Sequence, residues 1–198
     1  LSTLLGAATP SVTKSPTPTT TATSTPTRTP VNGNIIPGAI TDVVVYNTFG
    51  RQVSFTAQMD SGATVVNIYA KKQGVPLFPL IAALFPDASG VPDCAAAPVR
   101  YAALPSVFSV NYGYVPMNCT LGCSASLISG RVYWLVFYDF TDSAPNAYVL
   151  AANTNIEVGS ADSIPQNVCN FVTPNNFSLV FGVQVTPPTS TQTITRTP

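Results

Sequence analysis

No histidine occurs anywhere in the 198 residues. Ser–His and Cys–His nucleophile pairs are therefore excluded, and the commonest protein ligand for metals is missing. Charge is scarce as well. Charged residues make up 8% of the chain, against about 25% in an ordinary soluble protein. Eight basic and eight acidic side chains cancel, so no concentrated basic surface exists for phosphate backbones, and nucleic acid is not an expected partner. The one basic pair, Lys71-Lys72, reads as a solvated strand end. A surface with so little charge, and none in balance, favours association. No apolar run reaches the 18 residues that a membrane-crossing helix needs. Leu1 to Ala8 is too short, and Val75 to Phe85 contains Pro76 and Pro79. No membrane span is expected. A glycine-rich phosphate loop is also absent, and nothing in the sequence calls for a cofactor.

Cysteine is sparse but even in number: Cys94, Cys119, Cys123 and Cys169. In a charge-poor, Thr/Pro-rich chain these read as two disulfides formed in an oxidising compartment. Three connectivities are possible, and spacing does not choose among them. Zinc is disfavoured, because a four-cysteine site shows two close pairs and only Cys119-x3-Cys123 is close.

What the chain does have is Thr9 to Pro30. Thirteen of these 22 residues are Ser or Thr and five are Pro. Such a segment has too little apolar surface to offset the entropy of ordering. Proline holds it extended at about 3.1 Å per residue. Ser/Thr with Pro is the composition of O-glycosylated stalks, which makes Thr17, Thr19, Thr20, Thr21, Thr23, Ser24, Thr25, Thr27 and Thr29 the candidate acceptors. The motif Thr27-Arg28-Thr29-Pro30 returns as Thr195-Arg196-Thr197-Pro198. The expected organisation is an apolar arm at 1–8, an extended linker at 9–34, one folded domain at 35–186, and a second Thr/Pro tail at 187–198.

The domain reads as all-β. Ile40 to Thr48 is rich in β-branched and aromatic residues, and Arg51 to Met59 and Ala63 to Ala70 alternate apolar with polar. Phe49-Gly50 and Asp60-Ser61-Gly62 suit tight hairpins between these strands. Val75 to Pro92 carries four prolines and is expected to be a covering loop, with a short helix over Leu80 to Phe85. Ala95 to Ala103 and Ser106 to Tyr114 are weaker strand candidates. Gly130 to Phe140 holds the only Trp and the most continuous apolar run, the mark of a central strand buried on both faces. Ala147 to Val158 and Phe177 to Val185 complete the set. Many short strands between Gly, Pro, Asn and Asp predict a single β-sandwich, immunoglobulin-like or jelly-roll.

Catalytic chemistry has one sharp candidate. Met59-Asp60-Ser61-Gly62-Ala63 resembles the Asp-Ser/Thr-Gly-Ala motif of aspartic proteases, which implies an Asp pair activating water. One copy is present where two are needed, and a turn also favours Asp and Gly. Asp139 and Asp142 are close in sequence, but read as a solvated turn rather than a glycosidase pair. Asp87-Ala88-Ser89-Gly90 with Asp93 is a weak calcium candidate. The chain is therefore not expected to be an enzyme. Asn118-Cys119-Thr120 and Asn176-Phe177-Ser178 are N-glycosylation acceptors by pattern.

The arrangement of an apolar arm from Leu1 to Ala8, a linker and a β-domain resembles the donor-strand-complemented subunits of bacterial and archaeal surface pili and threads. That resemblance implies an extracellular or cell-surface polymer, built from copies of itself without catalysis. Leu1, Leu4 and Leu5 would then make the subunit contact by adding a strand to a neighbour's sheet; Ile35 to Ile40 or Gln192 to Thr195 are alternative strands. Covalent glycans are the other expected partner. The competing expectation is a carbohydrate-binding or adhesin module of a larger secreted protein, with Tyr112 and Tyr114 as the sugar platform.

Overall fold

The computed structural model describes residues 40–47, 49–120, 123–140, 142–153, 160–164, 167–175 and 178–186, with backbone alone for 160–164, 167–175, 178 and 186. The arm, linker and tail, with Leu1, Leu4, Leu5 and every O-glycosylation candidate, lie outside the described residues.

The described chain is all-β. Its strands are β1 (Ile40–Val45), β2 (Gly50–Thr56), β3 (Ser61–Gln73), β4 (Leu80–Pro86), β5 (Val99–Ala103), β6 (Gly113–Cys119), β7 (Ala125–Leu127), β8 (Val132–Tyr138), β9 (Ala147–Asn153), β10 (Ser160–Ile164), β11 (Asn167–Asn175), β12 (Ser178–Leu179) and β13 (Phe181–Thr186). A single turn of 3-10 helix, Pro105–Val107, lies between β5 and β6. The strands form one antiparallel sheet in the order β1-β9-β3-β6-β5-β4-β8-β2-β10-β11, with β7 and β13 also on β3 and β12 on β9. The sheet curls until it is nearly a barrel, and one face encloses the core.

Strand β3 organises the sheet because its length lets it serve four neighbours. Gly62 to Ile68 pairs with β13, and Ala70 to Gln73 pairs with β9. Ser61 to Ala63 pairs with β7, and Val65 to Ala70 pairs with β6. β9 leaves β3 after Leu150, and β12–β13 fills the widening gap. Val180 stands at the fork, donating its N–H to the Ala151 carbonyl and accepting from the Tyr69 N–H.

Alternation along the strands fills the core: Val66, Ile68 and Ala70 from β3, Val115 and Met117 from β6, Tyr133, Leu135 and Phe137 from β8. β8 is buried on both faces, as its continuous apolar run predicts. Its other side chains, Trp134, Val136 and Tyr138, pack with Ala83 and Phe85 of β4 in a second cluster.

Three expectations are corrected. The stretch read as a loop with a short helix holds β4, a strand between β5 and β8. Pro79 precedes it and Pro86 closes it, so neither proline sits in its interior. The expected hairpins also differ. β1 pairs with β9, while β2 pairs with β8 and β10, and β3 with neither β1 nor β2. The turn residues reverse the chain as read, but they carry it between distant parts of the sheet. Ser106 to Tyr114 is likewise mostly connection, with β6 beginning only at Gly113.

Cys119 and Cys123 form a disulfide with Cα atoms 5.5 Å apart. It closes the corner where Tyr101 of β5 meets Cys119 of β6. Cys94 is also disulfide-bonded; the side chain of Cys169, on β11, lies outside the described residues.

Candidate aromatic binding face

The outward side chains of β3 and β6 bring tyrosine, asparagine, proline and lysine onto one surface. Ile68 and Val66 point inward, so Tyr69, Asn67 and Val65 point out. Across the ladder they stand opposite Tyr114, Pro116 and Asn118. Directly opposed side chains are in contact distance, and the Tyr69 and Tyr114 rings lie 4.8 Å apart. From Tyr114 to Asn118 the row runs about 14 Å along the strand.

A brace supports one end of this row. Tyr112 stacks on Tyr69 at 5.4 Å with planes 18° apart, and the Lys71 ammonium sits 4.5 Å from the Tyr112 ring centre, a cation–π contact. Asp42, from β1, accepts a 2.7 Å hydrogen bond from the Tyr112 hydroxyl and a 2.8 Å one from Lys71 Nζ. The Lys71 bond, then the Tyr112 bond, holds the Asp42 carboxyl below its ordinary range. Burial, followed by the bond to Asp42, pushes the Tyr112 hydroxyl up. The pair Lys71–Asp42 is largely exposed and adds little to stability. Its effect is to neutralise Lys71 and to lock the connection before β6 onto β3.

Of the two tyrosines that the sequence marked as a sugar platform, the structure therefore separates the roles. Tyr112 is engaged by Tyr69, Lys71 and Asp42 and is a brace. Tyr114 is 48% exposed and presents ring surface outward. Tyr69, Asn67, Lys71 and Asp42 were missed. The alternation Val65-Asn67-Tyr69-Lys71 was a usable signal for the first three. Nothing local in sequence brings Asp42 to Lys71 across β9.

The remaining candidates are turn or loop supports. Asp60 accepts a 2.7 Å hydrogen bond from the Ser129 N–H. Asp87 accepts from Trp134 Nε1 at 2.7 Å and from the Gly90 N–H, and Asp93 accepts from the Ala95 N–H. Among the described residues no cluster of three acidic or cysteine side chains is placed to hold a metal. Asp139 and Asp142 are not a solvated turn but are buried. Asp142 accepts the N–H groups of Leu77 and Phe78, and its own N–H donates to Asp139. Asn118 is exposed on β6, and the Thr120 hydroxyl of its acceptor motif donates to the Arg100 carbonyl. Asn176 lies outside the described residues. No helix among the described residues is long and apolar enough to cross a membrane. No protein-family model matches the chain, and no curated protein matches it.

Proposed function

We propose that this chain is a noncatalytic binding module of an extracellular or cell-surface protein, and that it takes a neutral carbohydrate along Tyr114, Pro116 and Asn118. The observation that carries the reading is the row itself. A half-exposed aromatic ring shares one outward face with two amide side chains, Asn67 and Asn118. At the Tyr114 end the nearest cation, Lys71, is compensated by Asp42; at the Asn118 end Arg100 of β5 stands exposed on the same outward side. Sugar rings offer apolar C–H faces for stacking and hydroxyls for amides, and the Tyr114 end, where Lys71 and Asp42 cancel, suits an uncharged glycan better than a uronate. Thr/Pro stalks, glycosylated in this reading, would hold the module away from its neighbours. The curled sheet is then a β-sandwich of jelly-roll or immunoglobulin type.

Affinity electrophoresis in gels containing neutral polysaccharides tests this. At least one polysaccharide should retard the full chain. Tyr114→Ala should weaken that retardation at least about fivefold, while Met59→Ala at the far end of the sheet leaves it unchanged. Retardation by none of the polysaccharides, or equal retardation of Tyr114→Ala, would contradict the reading.

A second reading is a filament subunit that exchanges a strand or arm head to tail. One observation favours it. Among the described residues β5 pairs with β6 only at Asn118 and Cys119, so the β5 side of Val115 to Met117 carries no ladder to β5 and could accept a strand. Pro116 lacks an N–H and limits that pairing. Negative-stain imaging with and without residues 1–30 decides. Fibres that vanish on truncation support exchange, and discrete particles in both samples reject it.

A further inference from the structure

Eight tyrosines occur in the chain. Tyr101, Tyr133, Tyr138 and Tyr148 are buried, and Tyr46 packs against Phe49. The other three, Tyr69, Tyr112 and Tyr114, meet in one cluster on the outward side of β3 and β6. Tyr69 touches both partners. The Tyr112 ring stacks on it at 5.4 Å with planes 18° apart, and the Tyr114 ring centre is 4.8 Å away. The ladder fixes this second contact, because Tyr69 and Tyr114 are directly opposed between the two strands. Rings held side by side at this distance need little movement to be bonded directly to one another. Tyr114 is exposed, so a reagent in solution reaches the pair.

One member of the cluster has a proton acceptor in place. The Tyr112 hydroxyl donates 2.7 Å to Asp42 Oδ1, while Asp42 Oδ2 accepts from Lys71 Nζ. The Asp42 side chain is 55% exposed, so a proton received there passes on to water. A phenol that loses an electron becomes a strong acid, and a carboxylate already hydrogen-bonded to it takes the proton without any group having to approach. The Lys71 ammonium over the Tyr112 ring opposes positive charge there. Removing the proton leaves that ring neutral and lifts the opposition. The hydroxyls of Tyr101 and Tyr148 donate instead to backbone carbonyls, which take no proton.

From this geometry we infer that the cluster is a site of oxidative modification, at which Tyr69 and Tyr114 couple to dityrosine and Tyr112 with Asp42 is the point of entry. The oxidant is hydrogen peroxide acting through a peroxidase, which removes electrons one at a time. The first electron leaves Tyr112 as its phenolic proton goes to Asp42. Tyr69 then gives an electron to the Tyr112 radical, which recovers its proton from Asp42, and the Tyr69 phenol releases its own proton to water. A second oxidation removes an electron and a proton from Tyr114. The two phenoxyl radicals join through one carbon–carbon bond between positions ortho to the hydroxyls, and the two ring hydrogens at those positions shift to the oxygens. Two electrons and two protons leave in all, and they reduce the peroxide to water. The product is a covalent staple between β3 and β6. This modification goes beyond carbohydrate binding and does not depend on it.

Treatment of the full chain with hydrogen peroxide and a peroxidase tests it, read by dityrosine fluorescence and by mass spectrometry of peptides from the monomer fraction. The peptides carrying Tyr69 and Tyr114 should be joined, with the loss of two hydrogens, at a rate independent of protein concentration. Tyr69→Phe and Tyr114→Phe should each abolish that link, and Tyr46→Phe should leave it unchanged. Asp42→Asn still accepts a hydrogen bond but takes no proton, and should slow the coupling at least about fivefold with an unchanged melting temperature. Tyr112→Phe should slow it similarly and is the independent variant should Asp42→Asn unfold. Absence of the Tyr69–Tyr114 link, its formation only between chains, or an undiminished rate in both Asp42→Asn and Tyr112→Phe would overturn the inference.

Discussion

Phe137→Ala should destabilise the folded domain by about 3–5 kcal/mol. Phe137 lies at the middle of the sheet, on β8 between β2 and β4, and its ring is fully enclosed in the main core. Removing it deletes the transfer energy of the ring and leaves a cavity. The surrounding strands are cross-linked by ladder hydrogen bonds on both sides of β8 and have little freedom to close the gap. Domains of this size are stable by only about 5–15 kcal/mol, so the loss is a large share of the total. In urea the midpoint should fall with the slope unchanged. Val132→Ala, on the same strand but partly exposed, should stay within about 0.5 kcal/mol of wild type. A small effect for Phe137→Ala would mean that β8 is not central.

The second large effect is alkaline unfolding. Tyr101 is buried, with its hydroxyl donating 2.9 Å to the Ala63 carbonyl. Burial, opposed in part by a backbone hydrogen bond at Ala125, pushes it up to about 12. Tyr148 is raised as well, by burial first and then by the nearby charges of Asp139 and Asp142. In the unfolded chain both titrate near 10. Below pH 10 the two states hold the same protons. Above it the unfolded chain releases protons that the folded one keeps, so stability falls as pH rises. For Tyr101 alone the loss is about 2 kcal/mol by pH 12. Tyr148 adds to it. Melting temperatures should drop steeply from pH 10 upward, and Tyr101→Phe should reduce the slope. A flat profile to pH 12 would show that these hydroxyls are open to water.

The all-β class was legible because alternation in Arg51 to Met59 and Ala63 to Ala70, and the unbroken run in β8, are properties of single strands. Pairing was not, since register between β1 and β9 or between β2 and β8 depends on contacts between residues 76 to 113 apart in sequence, which leave no local trace. β4 was misread because Leu80 to Phe85 satisfies a helical and a buried-strand pattern equally. Its position between β5 and β8 settles it as a strand. The aromatic face was half legible. Tyr112 and Tyr114 stood out as a local pair, but only the β3–β6 register sets Tyr114 opposite Tyr69 and leaves Tyr112 to brace against Asp42.

The most direct test of carbohydrate binding is tyrosine nitration by tetranitromethane, read residue by residue by mass spectrometry, with and without the polysaccharide that best retards the chain. Exposure and burial predict nitration at Tyr114 and none at Tyr101 or Tyr148 in the free protein. Saturating ligand should protect Tyr114 alone. Undiminished nitration of Tyr114 under saturating ligand would contradict a binding face on β3 and β6.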